Sequence, residues 1–250
     1  MNDRKRIAII GATSAMAEHC ARLWVEKSSV EMILVGRNAQ RTERVAADLR
    51  VRSPDSEISA MESDFLDPDR IKATVDRITA QGGVDIVLIA HGTLPEQADC
   101  QSNLGVCKNT LEINGISPVL FAEAFAGIME KANHGTLAII GSVAGDRGRK
   151  KNYTYGSAKG LVDRYTQGLQ HRLARTKVNI VLLKPGPTET PMTAKLMSDT
   201  LKASPVALVS QQIVNAIEKK RLVAYIPFKW RIIMWTIKHI PVNIFNKLDI

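Results

Sequence analysis

Cysteine is scarce in this chain of 250 residues: Cys20, Cys100 and Cys107 are an odd set at no metal-like or redox-like spacing. That excludes a disulfide scaffold and predicts free thiols in a reducing compartment. Long apolar runs are missing as well. No uncharged stretch approaches the ~18 residues that a transmembrane helix needs, and the first apolar run, residues 7–10, is too brief for a secretory core. A cytoplasmic protein is the expectation. The net charge of +9 comes without a recognisable nucleic-acid reader motif, so nucleic acid is not an expected partner. His91 has no carboxylate or cysteine at metal-ligand spacing, and no metal is expected.

What the chain does have is 45% hydrophobic content, enough for one sizeable core. Apolar runs at residues 7–10, 31–36, 57–61, 84–90, 137–140, 178–183 and 222–226 alternate with stretches of helical spacing. Short runs that are apolar throughout read as strands buried on both faces of a parallel sheet. The expected fold class is α/β: a single-domain, Rossmann-type, doubly wound parallel sheet of about seven strands with helices on both faces. It occupies residues 1–226, with a basic, amphipathic tail at 227–250.

The first strand runs into Gly11, Thr13, Ser14, Ala15 and Met16 and then a helix reaching Lys27. Strand, tight turn and helix amino terminus together make a seat for a pyrophosphate, because unpaired N–H groups and the positive dipole end point at it. The second strand ends at Arg37, where an acid would suit the ribose hydroxyl of NAD and an arginine suits the 2′-phosphate of NADP. NADP(H) is therefore preferred, with NAD(H) kept open. Asp64 and Phe65 leave the third strand, and Asp64 suits an adenine amino group as well as it suits a helix cap. Ala90 and Gly92 flank His91 and line the same cleft through their backbone. Pro185, Gly186, Thr188 and Thr190 form the loop after the sixth strand, at the sheet edge where cofactors sit.

The chemistry is concentrated in residues 141–160. Tyr155 and Lys159 stand one helical turn apart, and Ser142 ends the apolar run 137–140 thirteen positions before the tyrosine. A phenol titrates near pH ~10 when unperturbed, so a fixed cation beside it makes its proton transferable near neutrality. Tyr225 and Lys229 repeat the spacing, but Pro227 breaks any helix between them and Gln212 stands where a serine is needed. Asn114-Gly115 in the middle of the helical stretch 104–131 costs local stability and asks for a packing or functional cause.

Gly11, Asp64, Asn114, Ser142, Tyr155, Lys159 and Pro185-Gly186 together resemble the short-chain dehydrogenase/reductase family over residues 6–226. The resemblance implies proton exchange with a carbonyl oxygen by Tyr155 and orientation of that oxygen by Ser142. It further implies a lowered tyrosine pKa and a held nicotinamide ribose through Lys159, and a water relay supported by Asn114. Departures are Ile10, Ala15 and Ala17 in the first turn, where the family has threonine and two glycines, and Ile89-Ala90-His91-Gly92 after the fourth strand.

From Glu218 onward seven basic residues face two acids, so +5 of the +9 lies at this end. Trp230, Ile233, Met234 and Ile237 repeat at helical spacing among Lys229, Arg231, Lys238 and Lys247, which fits a helix in a membrane interface or a buried dimer contact. This tail, residues 144–149 and residues 90–95 are similar to a bacterial subgroup that includes the reductase acting, with a partner oxidase, on decaprenylphosphoryl 2-keto-ribose. The resemblance implies a small-molecule or lipid-linked carbonyl substrate at the inner face of the membrane, with Arg147, Arg149, Lys150 and Lys151 meeting its phosphate. The alternatives are a soluble general carbonyl or 3-oxoacyl reductase and a catalytically silent nucleotide-binding regulator. A homodimer or homotetramer is expected.

Overall fold

The apolar runs do pair as parallel strands. In a computed structural model that describes residues 4–80, 82–193 and 203–248, β1 (Lys5–Ile10), β2 (Val30–Gly36), β3 (Glu57–Glu62), β4 (Ile86–Ile89), β5 (Thr136–Ile140), β6 (Asn179–Pro185) and β7 (Val223–Ile226) form one sheet. Its order is β3-β2-β1-β4-β5-β6-β7. Every pairing is parallel, with Ile7 opposite both Met32 and Ile86, so all carboxyl ends lie on one edge. The strand order reverses between β1 and β4, the place where such sheets open a crevice.

Side chains alternate across a strand, and β1 divides accordingly. Ile7 and Ile9 pack with Trp24, Leu49 and Ile213 from α1 (Ala15–Lys27), α2 (Ala39–Arg52) and α8 (Val206–Glu218). Ala8 and Ile10 face Ile71, Phe121, Phe125 and Leu169 from α3 (Pro68–Thr79), α6 (Ser117–Ala132) and α7 (Tyr153–Arg172). Asp67 caps α3 by accepting from the Asp69 and Arg70 N–H groups, with Pro68 in the first turn, as Asp-Pro predicts. A short α4 (Gln97–Ser102) leads into α5 (Leu104–Leu111).

The helix expected over 104–131 is continuous but not uniform. Between α5 and α6 the backbone widens into a π-helical turn, Glu112–Ile116, and Asn114-Gly115 sits inside it. Such turns are costly and cluster at functional sites. Residues 104–132 are long and apolar enough to cross a membrane, yet half of their most apolar window is buried, and the stretch packs on α3 and α7 as a core helix does.

Beyond β7 the chain forms α9 (Lys229–His239) and α10 (Val242–Phe245). The last two residues of the 227–250 tail lie outside the described residues. α9 packs on β7 and on a short 3-10 turn, Val143–Asp146, that directly follows Ser142. Met234 is wholly buried in that contact.

Candidate active site

The carboxyl edge of the sheet collects almost every residue singled out from the sequence. Gly11 turns the chain after β1 at φ +84°, and a Cβ there would lie 2.6 Å from the His91 backbone nitrogen. The left-handed conformation and the close approach both demand glycine. Ser14 precedes α1 with no side-chain cap bond, so the first N–H groups of that helix face the crevice with only the dipole to direct them. Thr13, Ala15 and Met16 complete the turn without a buried hydroxyl or charge.

Arg37 stands at the end of β2 in an open cleft of about 720 Å³ that also takes in Ser63, Asp64, Arg70 and Arg77. No hydrogen bond or ion pair engages the Arg37, Arg70 or Arg77 guanidinium among the described residues, whereas Arg6, Arg22 and Arg172 are paired with carboxylates. The Asp64 carboxylate accepts from the Leu66 N–H at 2.8 Å within the loop that precedes α3, and the cap of that helix is Asp67 and not Asp64. The Phe65 side chain is buried edge-on against His91 and Phe121, which leaves only its main chain for a ligand.

Ala90 is held by its N–H to the Ile10 carbonyl at 2.8 Å, joining the ends of β4 and β1. His91 is locked in place: its Nε2 lies 2.8 Å from the Ser117 hydroxyl. Burial, with Lys159 and Arg37 nearby, pushes its pKa down to about 3, so it is a neutral wall group and not a base. Its Nδ1 is buried without a hydrogen-bond partner among the described residues. Gly92 lets the backbone press against Asn114, since a Cβ there would come within 2.8 Å of Asn114 Oδ1 and 3.9 Å of Lys159 Nζ.

The π-helical turn explains Asn114. It sets the side chain inward, where Oδ1 accepts from the Thr93 N–H and Nδ2 donates to the Thr110 carbonyl, both at 2.9 Å. Ser142 closes β5 and accepts from the Ala144 N–H at 3.1 Å, and its hydroxyl acts on the Tyr155 phenol, drawing the pKa of that group down. Lys159 donates to the Ile140 carbonyl at 3.1 Å, with its ammonium 5.8 Å from the centre of the Tyr155 ring.

The charge balance departs from the expectation that Lys159 lowers the phenol. Burial dominates and pushes Tyr155 up to about 12, with the Ser142 hydroxyl pulling the other way. Burial likewise pushes the Lys159 ammonium down to about 8, opposed by Asp163. Desolvation penalises each charged form, and here it outweighs a cation at this distance. Tyr155 is thus held as the protonated acid at neutral pH.

In the loop after β6, the Gly186 N–H donates to the Ile226 carbonyl at 2.9 Å and the Thr188 hydroxyl donates to the Gly186 carbonyl at 3.0 Å. Thr190 is tied to Thr193 through its N–H at 3.1 Å, and Pro185 is the last residue of β6. The Trp230 indole lies directly on Gly186, so α9 forms part of the wall of this site.

Arg147 corrects the reading of residues 147–151 as a uniform phosphate grip. Its guanidinium donates to the Ile237, Lys238 and Ile240 carbonyls at the end of α9, at 2.5, 3.2 and 2.7 Å, and stacks 3.7 Å over the Phe245 ring. It is consumed as a helix cap and a cation–π clamp. Arg149 differs, with its Nε buried and lacking a hydrogen-bond partner among the described residues.

The sequence reading also missed a buried ionic group beside Lys159. Lys184 donates to Asp146 and to Asp163, and the Tyr225 hydroxyl donates to Asp146 at 2.9 Å. One signal was available: a lysine inside the apolar run 180–185 must either snorkel or find carboxylates.

The family sequence model described as short chain dehydrogenase matches residues 5–201. An uncharacterized oxidoreductase of Streptomyces coelicolor is 25% identical, covering 98% of this chain and 96% of its own length. An uncharacterized oxidoreductase of Mycobacterium tuberculosis is also 25% identical, covering 97% and 96%. Among solved structures, a short-chain dehydrogenase from Sphingobium yanoikuyae in complex with NADPH superposes with a TM-score of 0.81 at 20% identity, covering 97% of this chain and 96% of that one. A gluconate 5-dehydrogenase from Burkholderia cenocepacia in complex with NADP and tartrate gives 0.78 at 19% identity, covering 90% and 94%.

Proposed function

The chain belongs to the short-chain dehydrogenase family, an oxidoreductase fold built around a nicotinamide dinucleotide, and from that premise we propose that it reduces a carbonyl group with NADPH. The observation that carries this reading is the meeting of Ser142, Tyr155 and Lys159 at the carboxyl edge, with the Lys159 ammonium 5.8 Å from the Tyr155 ring and the Ser142 hydroxyl acting on its phenol. The uncapped start of α1 and the unpaired Arg37 fit a dinucleotide. Gly11, Thr13, Ser14, Ala15 and Met16 would hold its pyrophosphate, Arg37 its 2′-phosphate, and the Asp64–Phe65 main chain its adenine. Ala90, Gly92, Pro185, Gly186, Thr188 and Thr190 would line the nicotinamide half. Bound there, the cofactor supplies the hydride.

The chain's own groups do the rest. Ser142 holds the carbonyl oxygen, and Tyr155, kept protonated by burial, gives that oxygen its proton as negative charge develops on it. Lys159 holds the cofactor ribose and offsets the phenolate left behind, while Asn114 fixes the backbone of the loop after β4. A catalytically silent regulator would have no use for this combination. Arg37→Ala should raise the Michaelis constant for NADPH about 10- to 100-fold, the worth of one charge-assisted contact, and leave that for NADH nearly unchanged. Equal changes in steady-state assays with the two coenzymes would remove the NADP preference.

The substrate we propose is a lipid-linked keto-sugar met at an anionic membrane surface, the inner face of the cytoplasmic membrane. Support comes from exposed Phe228 and from α9 and α10, whose outer side exposes Ile232, Trp235, Val242 and Ile244. Residues 227–248 carry four lysines and arginines and no acid, a composition that suits an interfacial helix. Arg149, with its unpartnered Nε, is the group fit for the substrate's phosphate. Because Arg147 and Trp230 tie α9 to the site, removing the tail would damage catalysis directly. Replacing exposed Ile232 and Trp235 by Glu is the cleaner test. Vesicle sedimentation should show binding to anionic liposomes weakened about 100-fold or more, from the apolar burial lost, with NADPH binding retained. Undiminished sedimentation would end the membrane reading.

A second copy of the chain has a separate place to sit. Leu104, Leu111, Ile116 and Leu161 are exposed along α5, the π-helical turn and α7, which favours a homodimer or homotetramer through that face. A soluble ketone or 3-oxoacyl substrate is the second reading. NADPH oxidation followed in parallel over lipid-phosphate keto-sugars, soluble ketones and 3-oxoacyl thioesters separates the two.

A further inference from the structure

One buried carboxylate has more to do than form an ion pair. Asp163 lies on α7 one turn beyond Lys159, and both are almost fully buried. Its Oδ2 accepts from Lys184, whereas its Oδ1 is buried with no hydrogen-bond partner among the described residues. Oδ1 lies against Gly141 at the end of β5, next to Ile140, whose carbonyl receives the Lys159 ammonium.

We propose that Asp163 is a positioning residue whose second oxygen supplies the negative charge that keeps Lys159 an ammonium in a dry site. The inference rests on the reductase reading only for its consequence in catalysis.

The groups around Lys159 leave no other candidate among the described residues. On α7, Tyr155 is held neutral by burial. From the π-helical turn comes the uncharged Asn114, and from the end of β4 the neutral His91. β6 contributes Lys184, a like charge that is held as an ammonium by Asp163 and Asp146 against the cost of burial. The 3-10 turn contributes Asp146, whose two oxygens are taken by Lys184 and by the Tyr225 hydroxyl from β7. Two ammoniums and two carboxylates balance. Burial pushes the Asp163 pKa up while Lys184 and Lys159 pull it down, and Asp163 is the carboxylate with an oxygen that accepts no hydrogen bond among the described residues. A buried ammonium without a counter-charge sheds its proton, and a neutral lysine could neither hold a ribose hydroxyl by charge nor offset a phenolate. The Lys159 pKa of about 8, with Asp163 opposing its desolvation, agrees with this division.

The test reads Lys159 directly. In protein labelled with ¹³C at lysine Cε, the Lys159 resonance, assigned through Lys159→Arg, should titrate near pH 8 in the native sequence. In Asp163→Asn its midpoint should fall by about one pH unit, tenfold in proton affinity, and Asp163→Glu should restore much of it. Should Asp163→Asn fold poorly, as judged by circular dichroism, Asp163→Ser removes the same charge with a smaller side chain. An unchanged or raised midpoint in either folded variant overturns the proposal. The second arm is the pH dependence of kcat/KM for NADPH-driven reduction of a soluble ketone, whose alkaline limb should move down by the same amount in Asp163→Asn. A shifted resonance with an unmoved limb supports the charge assignment and counts against the reductase reading instead.

Discussion

Tyr155→Phe should lower carbonyl reduction by about 10³-fold or more while NADPH binding, followed by its fluorescence, stays within about twofold of the native protein. The first figure is what removal of a positioned general acid costs. The substitution deletes one oxygen from a half-buried ring and leaves Lys159, Asn114 and the α1 turn as they were. Its size follows from the electrostatics of the pocket. Burial holds the phenol protonated, with a pKa of about 12, so near neutrality the acid is always loaded and no other described group is placed to replace it. His91, the nearest alternative, is pushed down to about 3 by the same desolvation and carries no transferable proton of the right strength. The consequence for pH is directional. With Tyr155 protonated throughout the neutral range, activity should fall on the alkaline side as Lys159 sheds its proton near pH 8, below the range in which the tyrosine titrates. Turnover in Tyr155→Phe within tenfold of the native protein would take the proton-donor role away from this residue.

Gly11→Ala should be strongly destabilising. The residue sits at φ +84°, and an added Cβ would meet His91 backbone and side-chain atoms at 2.6 to 2.8 Å. Neither term can relax cheaply. The conformation is set by hydrogen bonds from the Gly11 and Ala12 N–H groups to the Val35 carbonyl, at 2.9 and 3.0 Å, and His91 is fixed by Ser117, Phe65 and Phe121. A left-handed alanine together with a backbone clash costs about 2–3 kcal/mol, which for a domain of this size lowers the melting temperature by roughly 5–10 °C. NADPH affinity should fall with it, because the same shift opens the junction of β1 and β4 where the pyrophosphate would sit. A thermal melt within about 1 °C of the native protein would show that the turn tolerates a side chain and that its glycine has another purpose.

Strand positions were legible in the sequence because a strand buried on both faces admits almost nothing polar, and runs such as 7–10 and 137–140 announce themselves. The start of α3 at Asp67-Pro68 was legible for an equally local reason, since capping and backbone stiffness act within a few residues. The gathering of Ser142, Tyr155, Lys159 and Asn114 was foreseen from spacing together with a family resemblance. What spacing could not reveal was the surroundings of those groups, and surroundings decide charge. Desolvation depends on how many atoms from distant segments crowd a site, which is why Lys159 was expected to acidify Tyr155 and is instead outweighed by burial.

The same division explains Arg147, Asp163 and Lys184. Read along the chain, Arg147 is one of four basic residues in a loop. Only when α9 is folded back, some ninety residues later, do the Ile237 and Ile240 carbonyls arrive to take up its guanidinium. The order of hydrophobic and polar residues alone determined the sheet, its helices and the edge where chemistry occurs, because burial of alternating or continuous apolar faces is a local pattern repeated along the chain. Which charged groups meet there, and what those meetings do to their protons, was decided by tertiary structure, since electrostatic energies inside a protein depend on separations between residues that the linear order leaves far apart.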